Sequence, residues 1–301
     1  MSTPEPVAIC VATYQRPEQL RTLLASLQDL IAPGPFRVYV VDNDAAGTAE
    51  QVASESILDL VYLQEPTPGI VAARNAALMN STEPILAFID DDEYPDASWL
   101  ATLRACMDSS DADAVWGPVV SVFPAETPEW VHEGGFFSRS RYPTGTVFDQ
   151  AATNNVLVRR TAVEQLELPR FDERFSASGG SDSHLFHRIH NKGGKIVWCD
   201  EAIVYEDVPL SRMSVAWLRQ RARRTGNVRG RLLVEDGHRL RAWIEGSARL
   251  AVGFLRMSAD RVRRVPVNSA SLNTWMRGWG VLDAARGRVV IEYRRPQGDQ
   301  S

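Results

Sequence analysis

The sequence predicts an α/β protein in which a mostly parallel β-sheet is flanked by helices and followed by a basic, mainly helical C-terminal tail. Short apolar runs, which are typical of buried strands, alternate with amphipathic segments in the N-terminal part of the chain. The order β-α-β-α-β favours parallel strands joined by right-handed crossovers, as in half of a doubly wound sheet. A chain of 301 residues has room for one large domain or two closely packed ones.

An apolar run and a proline predict the first strand and the first helix. Val7–Thr13 is apolar enough to be a buried strand. Pro17 is expected to begin a helix, because a proline in the first turn removes no intrahelical hydrogen bond. One face of this helix carries leucines at positions i, i+3, i+4 and i+7, namely Leu20, Leu23, Leu24 and Leu27.

The next segments continue the alternation of strands and helices. Phe36–Val41 is a predicted strand that ends in the polar tripeptide Asp42-Asn43-Asp44. A helix over residues 48–56 and a short strand, Leu60–Leu63, are expected to follow. The Gly-x-Gly-x-x-Gly fingerprint of dinucleotide-binding folds is absent, which argues against NAD or FAD.

A further helix is expected to open at Gly69. Its residues Val71 and Ala76 are small enough for close packing against the sheet. Arg74 and Asn75 interrupt this apolar character. They indicate either a solvated helical face or a guanidinium placed beside the phosphates or the base of a nucleotide.

The segment Ile85–Glu93 is the one around which we expect the site to form. It begins as a short apolar strand and ends in four consecutive carboxylates, at the sheet edge where open α/β sheets bind ligands. Asp90, Asp91 and Asp92 repel one another unless a cation offsets their charge, and oxygen ligands suit Mg²⁺ or Mn²⁺. The alternative is a solvated acidic turn that caps a helix, with Asp96 or Ser98 as the N-cap residue.

The cysteines and the apolar runs indicate the kind of compartment in which the protein is expected to act. The three cysteines are odd in number and widely spaced, so neither a disulfide framework nor a zinc-binding spacing is indicated, and a reducing compartment is expected. We find no pattern of a signal peptide before the first strand and no apolar run of transmembrane length.

The charge is distributed unevenly along the chain. Residues 1–210 carry a formal charge of −17, whereas residues 211–301 carry +12. A basic tail after an acidic body indicates that the tail meets an anionic partner: a phospholipid surface, a lipid pyrophosphate or the body itself. Nucleic acid is not expected, because no known nucleic-acid-binding module accompanies the charge.

The middle of the chain is less regular. A helix is expected over residues 96–107, and a pair of strands on either side of Gly117-Pro118. Residues 124–146 lack periodicity and are interpreted as a long loop, of a length that is usually functional or mobile. Its aromatic residues Trp130, Phe136 and Phe137 are expected either to stack on a ligand or to pin the loop to the core.

Four motifs carry a resemblance to a known family. They read Val-Ala-Thr-Tyr-Gln-Arg-Pro at 11–17, Val-Val-Asp-Asn-Asp at 40–44, Pro-Gly-Ile-Val-Ala-Ala-Arg-Asn-Ala-Ala-Leu at 68–78 and Phe-Ile-Asp-Asp-Asp-Glu at 88–93. In this order and spacing they resemble glycosyltransferase family 2, and within it bacterial exopolysaccharide glucosyltransferases of the succinoglycan type. The resemblance runs from about residue 7 to residue 226. It implies a GT-A fold with a Rossmann-like sheet, a nucleotide-sugar donor, a divalent metal and inversion at the anomeric carbon.

The resemblance implies roles for residues that would line the nucleotide. Asp42 matches a carboxylate that accepts a hydrogen bond from the uracil ring of UDP. Thr13 and Arg16 match the loop after the first strand, which lines the nucleotide. Arg74 matches the arginine of the Ala-Arg-Asn motif.

The aspartate cluster matches the family's Asp-x-Asp motif. Its outer residues, Asp90 and Asp92, would lie nearest the ribose and the metal respectively, and both are expected to serve as ligands of Mn²⁺ or Mg²⁺. Asp91, between them, is placed among the nucleotide-binding residues. A metal bridging the pyrophosphate oxygens stabilises the charge that develops on a UDP leaving group.

The second half of the resemblance concerns the donor sugar and the acceptor. The long loop of residues 124–146 would lie on the acceptor side, where its aromatic residues would stack on a sugar face unless they pin the loop to the core. Asn154 or Asn155 lies in the segment that resembles the family's donor-sugar segment, and Asn155 is expected to bind there. Asp182 falls on the family's general base, at the start of a predicted helix whose backbone N–H groups favour the ionised carboxylate. The chain departs from the family pattern at Ser181, where Glu is usual, and at His184, where a second Asp is common.

Two further features leave alternatives open. His184, His187 and His190 recur every three residues, but no fourth ligand for a structural zinc is evident, so surface or acceptor-side histidines are the alternative. Glu206 falls near the place where many GT-A enzymes have a metal-binding histidine. It is either a hard oxygen donor for the metal or a solvated loop acid.

The tail is predicted to be helical and basic. The segment Gln220–Arg224 is similar to the Gln-x-x-Arg-Trp motif of processive family members, with Arg224 in place of Trp, and its arginines would hold a pyrophosphate or form a solvated face. Leu240–Arg264 has the composition of a helix lying in a membrane interface. A helix packed on the protein body would have a similar composition.

These observations combine into one hypothesis. Residues 1–210 would form a GT-A glycosyltransferase domain, with residues 1–93 binding the nucleotide and 94–210 the donor sugar and acceptor, and residues 211–301 a helical extension. The protein would be an inverting, metal-dependent enzyme that moves a sugar from a UDP-sugar to a hydroxyl of a lipid-linked glycan or small molecule. It would act in the cytoplasm or peripherally on the inner face of the membrane. The alternative is a catalytically silent nucleotide-sugar or glycan-binding protein, suggested by Ser181.

Overall fold

The computed structural model describes residues 4–264, 266 and 268–291. The N-terminal part alternates strands and helices as the sequence predicts: β1 (Val7–Thr13), α1 (Pro17–Gln28), β2 (Phe36–Asp42), α2 (Glu50–Ser54), β3 (Leu60–Gln64), α3 (Ile70–Asn80) and β4 (Ile85–Phe88). Helix α1 begins at Pro17 and buries the four predicted leucines. Helix α3 follows Gly69, whose φ of 128° is readily accessible only to glycine.

The middle of the chain adds shorter elements: β5 (Glu93–Pro95), α4 (Trp99–Ser110), β6 (Ala114–Trp116), β7 (Val119–Val122), α5 (Glu129–Glu133), β8 (Val147–Phe148), β9 (Val156–Arg159), α6 (Arg160–Glu164), α7 (Ser181–Asn191), β10 (Ile196–Trp198) and β11 (Val204–Asp207). The two strands predicted around Gly117-Pro118 are present as β6 and β7, but they lie in different sheets. A Cβ on Gly117 would lie only 2.4 Å from the Ala202 carbonyl oxygen, so the crossing between sheets requires glycine.

The larger sheet has the strand order β3-β2-β1-β4-β9-β6-β10-β8. Strands β1 to β4 pair in parallel, and β6 pairs in parallel with β10. Strand β9 runs antiparallel to both β4 and β6. The carboxyl ends of β1, β2, β4 and β6 therefore meet at one edge of the sheet, together with the amino end of β9.

A smaller sheet, ordered β5-β11-β7, continues from this edge. In it β11 pairs antiparallel with β5 and in parallel with β7. The register places Glu206 directly opposite Glu93, the residue that follows the aspartate cluster. The smaller sheet thus connects the cluster with an acidic residue more than a hundred positions away in sequence.

Two apolar clusters cover the two faces of the larger sheet. One packs Ile9 and its neighbours against α1 and α4, with Leu20 and Trp99 fully buried. The other packs Leu86 and its neighbours against α3 and α7, with Phe186 fully buried. Helices on both faces of a mostly parallel sheet are the α/β arrangement that the sequence predicts, and that prediction is confirmed.

The chain divides into two compact units. The first comprises the described residues of Met1–Val122, Arg139–Ser176 and Ser181–Asp207, and contains both sheets. The second comprises the described residues of Phe123–Ser138, Ala177–Gly180 and Val208–Ser301. It contains α5 and the tail helices α8 (Val215–Glu235), α9 (Arg239–Arg263) and α10 (Ser269–Ala285).

The tail helices pack through small residues. A Cβ on Gly226 or Gly280 of the α8–α10 contact would lie about 2 Å from backbone atoms of the facing helix, since the nearest distances are 2.1 and 1.9 Å. Gly246 and Gly253 likewise allow α9 and α10 to approach closely. Within the described part of the chain, no helix is long and apolar enough to span a membrane.

Candidate active site

The aspartate cluster forms a tight turn at the end of β4. The backbone N–H of Glu93 donates to the Asp90 carbonyl oxygen at 3.2 Å, and the Asp90 N–H donates to the Glu93 carboxylate at 3.1 Å. This turn fixes the direction of the three aspartate side chains at the edge where β1, β2 and β4 end. The alternative of a solvated acidic turn does not describe the whole segment, because Asp91 and Glu93 are buried.

Residues from the end of β1 hold two of the aspartates. The Thr13 hydroxyl donates to Asp91 at 2.8 Å. The Arg16 guanidinium donates at 3.0 Å to Asp91 and at 3.0 Å to Asp92. Because β1 and β4 are parallel neighbours, the predicted nucleotide loop and the Asp-x-Asp motif lie side by side.

Arg74 holds the third aspartate from the other side. Its guanidinium donates to Asp90 at 3.3 Å and to the Ser181 hydroxyl at 3.5 Å. The guanidinium carbon also lies 5.9 Å from the centre of the Phe171 ring. Arg74 is therefore not on a solvated helical face, and it joins the aspartate cluster to the first residue of α7.

Asp182 occupies the first turn of α7. One of its carboxylate oxygens accepts a 2.7 Å hydrogen bond from the Ser183 backbone N–H, as expected for a carboxylate at a helix N-terminus. Its charge is close enough to the aspartate cluster to contribute to the raised pKa of Asp90. The structure thus brings six of the predicted site residues together with Asp182. They are Thr13, Arg16, Arg74, Asp90, Asp91 and Asp92.

The carboxylates of this assembly outnumber its guanidinium groups. Desolvation, together with the neighbouring Asp91, Asp92 and Asp182, raises the pKa of Asp90 to about 6 against the opposing effect of Arg74, although 39 % of the Asp90 side chain is exposed. Burial likewise raises the pKa of Asp91, against the lowering effect of Arg16. A site with this excess of negative charge favours a bound cation.

The cluster also has the chemistry of a site for Mg²⁺ or Mn²⁺. Asp90 and Asp92 are carboxylates at the open edge of the sheet, and such ions are commonly held by one or two carboxylates together with substrate phosphates. Among the described residues no group of three or more His, Cys, Asp and Glu side chains is arranged to hold a metal by itself. The residues present therefore fit a metal that a phosphate-bearing substrate helps to bind.

Asp42 lies at the end of β2, beside Thr13 in the register, but it is fully buried. Its two oxygens accept hydrogen bonds from the backbone N–H groups of Asp44 and Ala49 and from the Tyr62 hydroxyl. These contacts close the loop after β2. The structure gives the predicted uracil-binding carboxylate a loop-stabilising role.

Asn155 has partners that differ from those of the aspartate cluster. It is 1 % exposed, its oxygen accepts from the Trp99 indole N–H at 2.8 Å, and its amide donates to the carbonyls of Pro118 and Ala202. All these partners belong to the protein interior, at the point where the chain crosses between the two sheets. The neighbouring Asn154 is the more exposed of the two.

The chain is similar in sequence to known proteins. The model of the family described as Glycosyl transferase family 2 matches residues 8–166. The chain belongs to glycosyltransferase family 2. This family 2 chain is 38 % identical over 260 residues to the succinoglycan biosynthesis protein ExoM of Rhizobium meliloti, which covers 84 % of each chain. It is also 24 % identical over 202 residues to the glycosyltransferase AglE of Haloferax volcanii, which covers 65 % of each chain.

A solved structure supports the fold of this glycosyltransferase. Crystal structures of residues 1–349 of TarS from Staphylococcus aureus superpose with a TM-score of 0.55, and of 0.53 for the complex with UDP. They cover 98 % of this chain and 95 % or 94 % of TarS 1–349, at 17 % and 16 % identity. The predicted family, its enzyme class of glycosyltransferases and its GT-A-like α/β fold are thereby confirmed.

Glu206 of the glycosyltransferase is not the solvated loop acid that one interpretation of the sequence expected. It lies on β11, is 9 % exposed and forms an ion pair with Arg139. Burial and the negative charges of Asp90 and Glu206 raise the pKa of the facing Glu93 well above its usual value. Arg139 opposes this effect, so the guanidinium stabilises a buried pair of carboxyl groups next to the aspartate turn.

The histidines of α7 are also buried, which excludes the surface interpretation for two of them. His184 is 2 % exposed and stacks on the Phe175 ring at 4.6 Å between ring centres. His187 is 8 % exposed and lies 3.2 Å from the Asn191 amide. Their surroundings indicate packing roles beneath the N-terminal turn that carries Asp182.

Two residues important for the geometry were not assigned a site role from the sequence. Asn75 exchanges hydrogen bonds with both backbone groups of Phe171, at 3.0 and 2.9 Å, and so fixes the ring against which Arg74 lies. Asn43 accepts from the Gly69 N–H at 2.8 Å and donates to the carbonyls of Glu65 and Thr67. Asn75 directly follows Arg74 and Asn43 directly follows Asp42, and this position within the motifs is the sequence signal that indicates their importance.

The aromatic residues of the long loop belong to the second unit. Phe136 and Phe137 are buried in an apolar cluster with Leu218 and Leu272, and Phe137 stacks on Trp217 with ring centres 5.9 Å apart. Trp130 packs edge-on against Phe136. The structure therefore supports the interpretation that these aromatic residues pin the loop to an apolar core.

Proposed function

We propose that this family 2 glycosyltransferase uses a UDP-sugar as donor and transfers the sugar, with inversion, to a hydroxyl of a lipid-linked glycan or a small molecule. The observation that carries the proposal is the double contact of Arg74, with Asp90 on one side and Ser181 on the other. This contact connects the aspartate turn after β4 with the first turn of α7. The aspartates are suited to binding a metal ion and a diphosphate, and Asp182 in the first turn of α7 is suited to act as a base. The TarS structure with bound UDP is consistent with the choice of nucleotide.

In the proposed reaction, Asp182 accepts the proton of the acceptor hydroxyl as its oxygen attacks the anomeric carbon. The bond between that carbon and the β-phosphate oxygen breaks, and its electron pair leaves with UDP. A single displacement of this kind inverts the anomeric configuration. The carboxylate of Asp182 suits this role because the Ser183 N–H bonds to it and leaves its second oxygen available for a proton.

Binding of the diphosphate would rest on the residues of the aspartate turn. A divalent ion, Mn²⁺ or Mg²⁺, would be held by Asp92 and Asp90 and would neutralise the charge that develops on the departing diphosphate. Arg16 and Arg74 hold these carboxylates in place and also offer N–H donors to phosphate oxygens. Thr13, through its bond to Asp91, keeps the first-strand loop against the turn.

The acceptor and the cellular location are proposed from the relatives and the charge of the chain. ExoM is named for succinoglycan biosynthesis, which supports a glycan acceptor carried on a lipid. We place the enzyme in the cytoplasm, peripheral to the inner face of the membrane, where its basic tail would meet anionic lipid.

The test is a screen of the purified full chain against UDP-sugars, with and without Mn²⁺, read by thermal shift and by release of UDP. We expect one UDP-sugar to raise the unfolding temperature in a metal-dependent way, because a ligand that binds the folded state raises its apparent stability. We also expect slow release of UDP by hydrolysis in the absence of acceptor. Saturable binding with no turnover, even with lipid-linked acceptors, would instead support a silent binding protein.

A further inference from the structure

Helix α9 of the second unit has one face fixed against α10. Its buried residues are small: Ala242, Gly246 and Gly253. A Cβ on Gly246 would lie 2.7 Å from the Leu282 side chain, and one on Gly253 would lie 2.7 Å from the Trp275 backbone nitrogen. Because these contacts leave no room for larger side chains, they determine how the helix is rotated about its axis.

The opposite face of α9 is apolar and exposed. Leu240, Ile244, Leu255 and Val262 are exposed by 73, 62, 66 and 84 % respectively. With the exposed Ala251 they form what we call the α9 stripe. Their spacings of four and seven residues repeat every eleven, which is about three helical turns, so they form one line along the helix.

The α9 stripe lies directly away from the packed face. Ala242, Gly246 and Gly253 each follow a stripe residue by two positions, which is about 200° around a helix. The contact with α10 therefore does not cover the stripe. A line of four large apolar side chains, each more than half exposed, on a helix of 25 residues is a feature that marks a protein or membrane contact.

Arginines follow the α9 stripe on both sides. By helical position, Arg241 and Arg263 lie along one edge and Arg261 along the other. Arg239 and Arg256 lie nearer the packed face, where they donate to the Ala285 carbonyl oxygen at 3.1 Å and to the Thr274 hydroxyl at 3.2 Å of α10. All five are exposed. The 19 basic residues of positions 211–301 are all arginine.

The acidic residues of α9 are bonded within the second unit. Glu245 forms ion pairs with Arg249 at 3.0 Å and Arg229 at 3.7 Å. Asp260 accepts hydrogen bonds from Asn268 and Ser271, at the start of α10. The exposed edges of the stripe are consequently cationic.

We propose that the α9 stripe is a membrane-contact surface that lies in the interface of an anionic lipid bilayer, with its apolar side chains among the acyl chains and its arginines at the headgroups. This inference rests on the membrane location given under the proposed function and identifies the face that makes the contact. An apolar line with cationic edges is the arrangement of interfacial helices. A second copy of the chain fits less well, since two stripes face to face would bring arginine edges of like charge together.

The test measures flotation of the full chain with vesicles of equal parts phosphatidylglycerol and phosphatidylcholine. We expect the wild-type chain to float with these vesicles, and far less with phosphatidylcholine alone or at high salt. The double variant Ile244→Asn and Leu255→Asn should lose about tenfold or more of this binding, because both side chains leave the apolar phase. The double variant Arg241→Gln and Arg263→Gln should weaken binding and flatten its salt dependence.

The matched control is Ile31→Asn with Ile57→Asn, two residues of the first unit that are exposed by 64 and 84 %. It should bind vesicles as the wild type does. All variants should keep the metal-dependent thermal shift by UDP-sugar, so that a loss of membrane contact is distinguished from a loss of nucleotide binding. Equal flotation of the stripe variant and the wild type would overturn the proposal. The proposal would also be overturned if the wild-type chain formed a dimer that does not bind vesicles and the stripe variant were monomeric.

Discussion

The Arg74 guanidinium lies 3.3 Å from the Asp90 carboxylate, and this pair connects the two chemical halves of the site. Arg74 lies in the second turn of α3, and Asp90 lies in the turn directly after β4. The arginine side chain is only 12 % exposed. Its second donor reaches Ser181, directly before the proposed base.

Replacing Arg74 by lysine should impair transfer more than folding. Lysine keeps the charge but cannot donate in two fixed directions, so the link between Asp90 and Ser181 is lost. We expect kcat/KM to fall by about 10- to 100-fold, equivalent to one charge-assisted hydrogen bond. Steady-state kinetics with the best UDP-sugar would measure it.

Arg104 provides the control for this prediction, because its side chain is also 12 % exposed and also bonded to carboxylates, those of Glu5 and Asp108. Arg104→Lys should leave kcat/KM within a few fold of wild type. Equal losses in the two variants would show that Arg74 contributes only to stability.

The Asp92→Asn variant addresses the metal. Amide oxygen is a weaker ligand than carboxylate, so Mn²⁺-dependent binding of UDP should weaken by about tenfold or more, while binding without metal changes little. Isothermal titration calorimetry with and without Mn²⁺ measures both. Asp59→Asn, at an exposed aspartate paired with Arg37, serves as control, and an unchanged response to Mn²⁺ in Asp92→Asn would remove Asp92 from the metal site.

Asn155 should matter for stability and little for sugar binding. Its truncation to alanine leaves the Trp99 indole and two carbonyls without their partner in the interior. The expected loss is about 1–3 kcal/mol in the free energy of unfolding, measured by urea denaturation. Asn154→Ala is the neighbouring control and should be nearly neutral in stability. A stable Asn155→Ala protein with a raised KM for the donor would instead favour a sugar contact.

Arg139 should stabilise the buried carboxyl pair beside the aspartate turn. In Arg139→Met, Glu206 loses its ion-pair partner while Glu93 stays opposite. Because the Arg139 side chain is 29 % exposed, we expect a loss of about 1–3 kcal/mol, less than for a fully buried pair. Arg141→Met removes a more exposed pair with Asp200 and should cost about 0–1 kcal/mol. Similar unfolding midpoints for the two variants would contradict the role of Arg139.

Much of the N-terminal fold was predictable, because its strands and helices carry complete periodic patterns. Val7–Thr13 is long and uniformly apolar, and Pro17 and Gly69 mark helix starts through backbone constraints that act locally. The turn of Asp90, Asp91 and Asp92 was predictable for the same reason, since an apolar strand ends directly before it.

The remainder depends on contacts between distant segments. Strands β9 and β11 have four residues each, too few for a period to show their direction or partners. Asn155 reads as a ligand-binding residue in sequence, yet its partners come from residues 99, 118 and 202. Glu206 reads as a loop acid until the register places it opposite Glu93.

The most direct test of the proposed reaction is the kcat of the Asp182→Asn variant. The substitution keeps the shape of the side chain and removes its basicity, whereas Thr13, Arg16 and the aspartate turn are untouched. If Asp182 is the base, kcat falls by about 10²–10⁴-fold, the usual contribution of a general base, while the affinity for UDP with Mn²⁺ stays within a few fold. Transfer by Asp182→Asn at nearly the wild-type rate would contradict this assignment and would show that another group removes the acceptor proton.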